Sequence, residues 1–338
     1  MRVSIIVPVY NDSKNLSDCL STLTTLSHRD SEIIVVDDGS TDDSPAVAAG
    51  MGLRVLTLPR NSGPAAARNY GARHAQGDVL FFVDSDVVLA PQALHRVEQG
   101  FAAQPGLAAI FGSYDAQPKA PGIVSQYRNL LHHFVHQNGN PEASTFWAGC
   151  GAIRRSVFEQ IGGFDEKRFP YPSIEDIELG YRLRQSGHRI LLDKSLQCTH
   201  LKKWKLRSVI KTDVTGRAIP WSRLILETKK VPDDLNLKWG QRFSFVLVAL
   251  ACLAFTLALF RPALILASAA AFLGVALLNH KLYIFFFRQK GFFFTIACVP
   301  LHLLYYLYSG LSYMYVWSSF QLRKLAALPV RPRFGVED

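Results

Sequence analysis

Short β-branched runs alternate with helical patterns over residues 3–200, and three long uncharged stretches follow them. Val3–Val9, Glu32–Val36 and Val79–Val83 are the clearest strand candidates. Asn11–Leu26 places Leu16, Cys19, Leu20 and Leu23 on one helical face, with Asp12 or Ser13 as its cap. This alternation predicts an α/β domain with a mainly parallel sheet. Beyond it, Phe243–Phe260, Pro262–His280 and Gly291–Leu322 contain no Asp, Glu, Lys or Arg. At roughly 1.5 Å per residue, the first two just reach across a hydrocarbon core about 30 Å thick and the third exceeds it. Three membrane helices are therefore expected, with the aromatic and cationic segment 280–290 lying in the interface.

The chain is thus expected to divide into an α/β domain (1–205), a basic amphipathic linker (206–240), a membrane region (241–322) and a basic tail (323–338). The boundary runs through the basic block and Pro232–Leu235. Three spans after a cytoplasmic domain would put Arg323, Lys324, Arg331 and Arg333 outside, against the usual cytoplasmic excess of Lys and Arg. A third stretch that is re-entrant, or that bends back at Pro300, would return the tail to the cytoplasm.

Composition sharpens this picture. The 338 residues are 49% hydrophobic, which excludes a disordered chain. There are 37 Lys and Arg against 27 Asp and Glu, a formal +10. Residues 182–230 hold thirteen basic and three acidic side chains, which accounts for the whole excess. A basic block running directly into uncharged stretches points to an anionic membrane surface and not to nucleic acid. The five cysteines have no paired spacing of the kind a disulfide framework or zinc site needs, so a reducing compartment is expected. Met1–Tyr10 reads as a first strand, with one positive charge and an apolar run broken by Pro8, which leaves the N-terminal domain in the cytoplasm.

In open α/β sheets, ligands bind beyond the carboxyl ends of the strands, and here those ends are acidic. The second run ends in Asp37-Asp38-Gly39, where a turn can hold a carboxylate against a nucleobase or a ribose hydroxyl. The third ends in Asp84-Ser85-Asp86, two carboxylates suited to a hard divalent cation that bridges phosphates. Either pair alone also fits a turn or a helix cap. Asn61–Asn69 is a Gly-Pro turn opening a helix with a small first turn, where a phosphate could approach and Arg68 add a charged contact. His132, His133 and His136 share a helical segment, Ile123–Gln137, but lack an acidic partner for a metal cluster.

Together, residues 3–11, 33–42, 63–69 and 82–86 occur in the order and spacing of the family 2 glycosyltransferases, which this chain resembles from Val3 to about His200. The resemblance implies the GT-A fold and an inverting transfer from a nucleotide-diphospho-sugar, with a uridine diphosphate donor as the default. It implies that Pro8, Tyr10, Asp37 and Asp38 surround base and ribose, and that Arg68 approaches the nucleotide. Asp84 and Asp86 resemble the family's D-x-D pair, with Asp86 the direct ligand of Mg²⁺ or Mn²⁺. The segment containing Trp147 and Gly149 is similar to the one lining the donor sugar and acceptor pocket. Glu175-Asp176 resembles the E-D motif, whose aspartate acts as base; capping the following helix is the alternative role for Asp176.

Residues 200–204, His-Leu-Lys-Lys-Trp, occupy the place of the Q-x-x-R-W motif of processive members without its Gln or Arg, which favours transfer of a single sugar. His200 there either completes the metal site or is a satisfied structural histidine. The expected protein is a multi-pass membrane enzyme, its catalytic domain cytoplasmic, that glycosylates a hydroxyl of a lipid or lipid-linked acceptor. A polyprenyl-phosphate glycosyltransferase is the rival reading; its acceptor is already ionised and needs no base. A scaffold with a retired transferase domain is the reading from outside enzymes.

Overall fold

The computed structural model describes residues 1–28, 31–229 and 233–326. Lys230 and Pro232 of the expected boundary, and Arg331 and Arg333 of the tail, lie outside the described residues.

The α/β part runs β1 (Val3–Val9), α1 (Ser13–Leu26), β2 (Ser31–Asp37), α2 (Ser44–Gly50), β3 (Arg54–Thr57), α3 (Pro64–His74), β4 (Val79–Val83), β5 (Val87–Leu89), α4 (Ala93–Ala103), β6 (Leu107–Tyr114), α5 (Ile123–Gln137), β7 (Cys150–Arg154), α6 (Arg155–Gln160), α7 (Glu175–Gln185) and β8 (Arg189–His200). The eight strands form one sheet in the order β3-β2-β1-β4-β7-β6-β8-β5. The expected parallel pairing holds for β1 with β2 and β4, for β2 with β3 and for β6 with β8. Antiparallel β7 lies between β4 and β6, and antiparallel β5 closes the far edge against β8.

Side chains of a strand alternate between sheet faces, and here both faces are buried. Ile5, Val7, Phe81 and Val83 join α1 and α4 in one apolar layer. Ile6, Leu80 and Phe82 join α3 and α7 in the other. Pro8 is tolerated in a central strand because pairing with β4 stops at Ile6 opposite Phe82, so no ladder bond on that side is lost.

Residues 206–228 form a continuous basic helical collar: α8 (Leu206–Lys211), a π-helical stretch (Thr212–Ala218) and α9 (Ile219–Thr228). It is bound to its surroundings through an inward-facing acid. Asp213, 4% exposed, accepts from Arg128 on α5 at 2.7 Å, from Arg217 at 3.1 Å and from the Tyr308 hydroxyl at 2.6 Å. Removing one member of a buried ion pair strands the other's charge, so Asp213→Ala should lower unfolding stability by about 3 kcal/mol. Denaturation of the detergent-solubilised chain checks this. Wild-type stability would show that the network carries no weight.

The C-terminal helices are α10 (Trp239–Leu257), α11 (Leu264–Leu278) and α12 (His280–Ala326). Among the described residues, α10 and α12 are long and apolar enough to cross a membrane. The second uncharged stretch yields only the 15 residues of α11, roughly 22 Å at 1.5 Å per residue. Pro262 stands before the helix begins at Leu264, and Asn279 ends it by donating back to the Val275 carbonyl. Gly291, at φ +79°, breaks α12 and separates the aromatic and cationic segment 280–290 from the long apolar run. That segment docks on the α/β domain: Leu282 and Phe286 pack on Tyr127, Leu130 and Leu131 of α5.

Candidate active site

β1, β2 and β4 run parallel side by side, so their carboxyl ends and the acids that follow them lie along one edge of the sheet. Asn11, at φ +50°, turns the chain after β1, and its side-chain carbonyl accepts from the Thr41 and Asp42 backbone N–H groups. The predicted helix over Asn11–Leu26 therefore begins two residues late, at Ser13. Asp12 makes no cap bond to the backbone, and accepts instead from the Asn15 amide and the Ser85 hydroxyl. Burial pushes its pKa up.

Asp37 accepts from the Ser40 N–H, and Asp38 from the Ser62 and Gly63 N–H groups at 2.7 and 2.8 Å. Burial raises Asp38, and those two donors offset part of the rise. Gly63 is required here: its φ is +90°, and a β-carbon would lie 2.4 Å from the Pro170 carbonyl oxygen. Pro8 is buried beside this loop's strand, and Tyr10 is 47% exposed at its mouth.

Arg68 is held between acids. It is 5% exposed and forks between two carboxylates, 2.7 Å from Asp84 and 2.9 Å from Glu175. Burial works against its charge, and Asp84 and Glu175 overcome that and hold it protonated. The guanidinium thus joins the D-x-D segment to the E-D segment and faces away from open solvent.

Asp176, beside Glu175, stands in the first turn of α7. One carboxylate oxygen accepts from the Ala148 N–H at 3.1 Å and the other from the Ile177 N–H at 2.8 Å. Burial first, and the neighbouring Glu175 second, push its pKa up to about 7. Gly180 lets α7 come this close, since a β-carbon there would lie 2.3 Å from the Phe146 nitrogen. Glycine at one point of an amphipathic helix was the sequence signal for that contact.

Asp86 belongs to a second group. β8 pairs with β5 so that His200 lies opposite Val87, which brings His200 Nε2 to 3.3 Å and Lys202 Nζ to 3.9 Å from Asp86 Oδ2. Burial alone would raise Asp86; His200 and Lys202 outweigh it and hold the carboxylate below its ordinary range. Asp84 is drawn to Arg68 and does not join this pair. Among the described residues no cluster of three or more His, Cys, Asp or Glu side chains forms a complete cation cage. An oxygen and an imidazole nitrogen 3.3 Å apart nevertheless fit Mn²⁺ or Mg²⁺ as a partial set, to be completed by phosphate and water.

Residues 147–149 touch both groups, through the Ala148 N–H to Asp176 and through Trp147 on Tyr114, which stacks on His200. The Gly149 carbonyl accepts from the Asp84 N–H, and a β-carbon at Gly149 would strike the Trp147 indole. Trp147 packs edge-on against Tyr114, with ring centroids 5.0 Å apart. His132 and His136 complete this ring stack, 4.0 Å from each other. Burial holds both well below the ordinary imidazole range, His136 at about 4, and His133 and His136 turn Nδ1 to the carbonyls of Tyr114 and Gly112. Sequence reasoning missed Tyr114 and Asn129. Ser125, Asn129, His132 and His136 form a polar stripe at helical spacing along the buried face of α5, which was the available signal.

Residues 4–162 match Glycosyl transferase family 2. The domain belongs to that family. The chain is 29% identical over 230 residues to the pre-mycofactocin glycosyltransferase of Mycobacterium tuberculosis, covering 64% of this chain and 47% of that protein. It is 40% identical over 223 residues to the glycosyltransferase GlyA of Streptococcus pneumoniae, covering 62% of this chain and 32% of the other. The chain thus spans about half the length, or less, of these curated relatives. Among solved structures, the mannosyltransferase PcManGT of Pyrobaculum calidifontis, in complex with GDP-Man and Mn²⁺, superposes with a TM-score of 0.56 at 17% identity. That likeness covers 93% of this chain and 87% of the other, so it continues past the family 2 domain into the C-terminal helices. It bears on fold, and agrees with the GT-A architecture implied by the four sequence motifs.

Proposed function

We propose that the chain is a membrane-bound, metal-dependent glycosyltransferase that moves one sugar, with inversion, from a nucleotide-diphospho-sugar to a hydroxyl of a lipid or lipid-linked acceptor. The observation that carries this reading is that two differently tuned carboxylates belong to separate side-chain groups, Asp176 beside the Arg68–Glu175 pair and Asp86 beside His200. Asp176 has its pKa raised to about 7, whereas Asp86 is held below its ordinary range beside His200. Direct displacement at an anomeric carbon needs a base for the incoming hydroxyl and charge neutralisation for the departing diphosphate. Asp176 suits the first task, because a carboxylate that titrates near neutrality takes a proton well.

Asp86 and His200 would hold the cation, which when bound supplies positive charge at the diphosphate. Lys202, half-exposed beside Asp86, adds a second positive group there. The turn organised by Asp37 and Asp38, with Tyr10 at its mouth, would receive the base and ribose. Arg68 fixes Asp84 and Glu175 and so sets the spacing between the donor and acceptor sides. Membrane attachment through α10 and α12, with the collar and segment 280–290 at the cytoplasmic interface, keeps the site beside the bilayer where a lipid acceptor is found. The tight seating of α5 on segment 280–290 supports a catalytic domain held against that surface.

Incubating the detergent-purified chain with UDP- and GDP-sugars, Mn²⁺, and either neutral glycolipids or polyprenyl phosphate tests this. Glycosylation of a hydroxyl acceptor is the expected product. Product on polyprenyl phosphate alone, with no need for Asp176, would replace this reading with the phosphate-acceptor one.

A further inference from the structure

An imidazole binds a metal through a nitrogen lone pair, so the ring must be neutral and its other nitrogen must carry the proton. Something must choose that tautomer. His200 Nδ1 lies 2.8 Å from the side-chain oxygen of Asn129, and Nε2 lies 3.3 Å from Asp86. Both side chains are buried, Asn129 at 1% exposure and His200 at 5%, and Tyr114 stacks on the imidazole at 4.5 Å and 12°. One edge and one face of the ring are thereby fixed.

We propose that Asn129 is a positioning residue of the donor site: its carbonyl accepts the Nδ1 proton of His200 and leaves the Nε2 lone pair facing Asp86, so that the two side chains take a divalent cation together. The inference rests on the reading of Asp86 and His200 as metal ligands. It deepens that reading by naming what makes His200 a ligand instead of a donor to Asp86. An amide turned the other way would donate to Nδ1, move the ring proton to Nε2 and aim it at Asp86, where it would compete with the cation.

The surroundings of α5 hold Asn129 in place. One turn earlier, the Ser125 hydroxyl accepts from the Trp204 N–H at 2.8 Å, so two residues four apart on α5 grip two residues four apart at the end of β8 and beyond it. The adjacent Arg128 is paired with Asp213, and Tyr127 packs on Phe286 with ring centroids 6.0 Å apart. Positions 127, 128 and 129 thus tie the α12 segment, the collar and the donor site to one helix. The Asn129 Nδ2 group has no hydrogen-bond partner among the described residues, so within them the amide is oriented by its oxygen.

The test is Mn²⁺ affinity of the full chain in detergent, read by electron paramagnetic resonance in the presence of UDP and, in parallel, GDP. Asn129→Leu, which removes the acceptor, should weaken Mn²⁺ binding roughly 10- to 100-fold, the usual effect of losing a ligand's orienting partner. Asn129→Ser, too short to reach the ring, should do the same with less disturbance of packing. Asn129→Asp can only accept, and should keep Mn²⁺ affinity within about threefold of wild type. Nucleotide binding without metal should be unchanged in all three, which reports an intact fold. Wild-type Mn²⁺ affinity in the Leu and Ser variants, or a loss in the Asp variant that equals theirs, overturns the proposal. His200→Ala separates the two levels: unchanged Mn²⁺ affinity there removes the metal reading and this proposal together. Loss in His200→Ala alone removes only the role of Asn129.

Discussion

Asp176→Asn should lower kcat by about 10² to 10⁴ while leaving donor affinity within about threefold of wild type. The asparagine side chain preserves the shape, and its one oxygen can still accept from the Ala148 N–H, as the carboxylate does at 3.1 Å, while its NH2 gives up the second bond, from the Ile177 N–H at 2.8 Å. What it cannot do is take a proton. A residue that merely capped α7 would tolerate the change, since asparagine caps as well as aspartate. The pH profile gives a second signature. A base acts when deprotonated, so with a pKa raised to about 7 the rate should rise about tenfold per unit below that value and level off above it. The stability sign is opposite. The ordinary aspartate value is near 3.8, and a folded value above it means that the native state holds the proton more tightly. That contribution to stability is complete below the unfolded value and is lost as pH rises through about 7. Asp176→Asn, neutral throughout, should therefore lack this loss and show a flatter stability profile than wild type between pH 6 and 8. Steady-state kinetics and melting curves on the same preparation decide the matter; an unaltered kcat would remove Asp176 as base.

Arg68→Met should be the most damaging substitution in the site outside the acids. Methionine fills the volume but leaves Glu175, whose side chain is 7% exposed, and Asp84 without their shared cation. Breaking a buried pair in this way costs about 3–5 kcal/mol. Lysine would retain the charge but not the planar fork that reaches both carboxylates, so Arg68→Lys should recover only part of the loss. The kinetics should move too. Arg68 is one of the groups holding Asp176 down, against burial and Glu175, so its removal should carry the alkaline rise in rate to higher pH. Chemical denaturation and a pH–rate profile of the two variants test both halves. A methionine variant with wild-type stability would mean that the triad is incidental.

Much of the fold could be read from short continuous β-branched and apolar runs, because a strand buried on both faces of its sheet needs apolar side chains at successive positions. Val3–Val9 and Val79–Val83 coincide with the observed strands, and Ile123–Gln137 with α5. The insertion of β7 between β4 and β6 could not be read, since strand order is set by packing across some seventy residues and leaves no local mark. The site divided similarly. Asp86 follows β4 and Asp176 lies in the first turn of α7, both element ends that the sequence pattern marked. Arg68 was expected at the nucleotide, and its ion pairs reach residues 16 and 107 positions away, which no local pattern reveals. The basic block was read as a lipid-facing surface, and the pairing of its Arg217 with Asp213, which Arg128 meets from α5, left no mark in that pattern. The Pro262–His280 stretch had the composition of a span, yet its flanking Pro262 and Asn279 confine the helix to 15 residues.

The central claim is that Asp86 serves the metal and diphosphate, while Asp176 serves the acceptor. Calorimetric titration of a nucleoside diphosphate into wild type, Asp86→Ala and Asp176→Asn, each with and without Mn²⁺, tests it most directly. The account predicts Mn²⁺-dependent affinity that disappears in Asp86→Ala and survives in Asp176→Asn. Loss in both variants, or in neither, would contradict it.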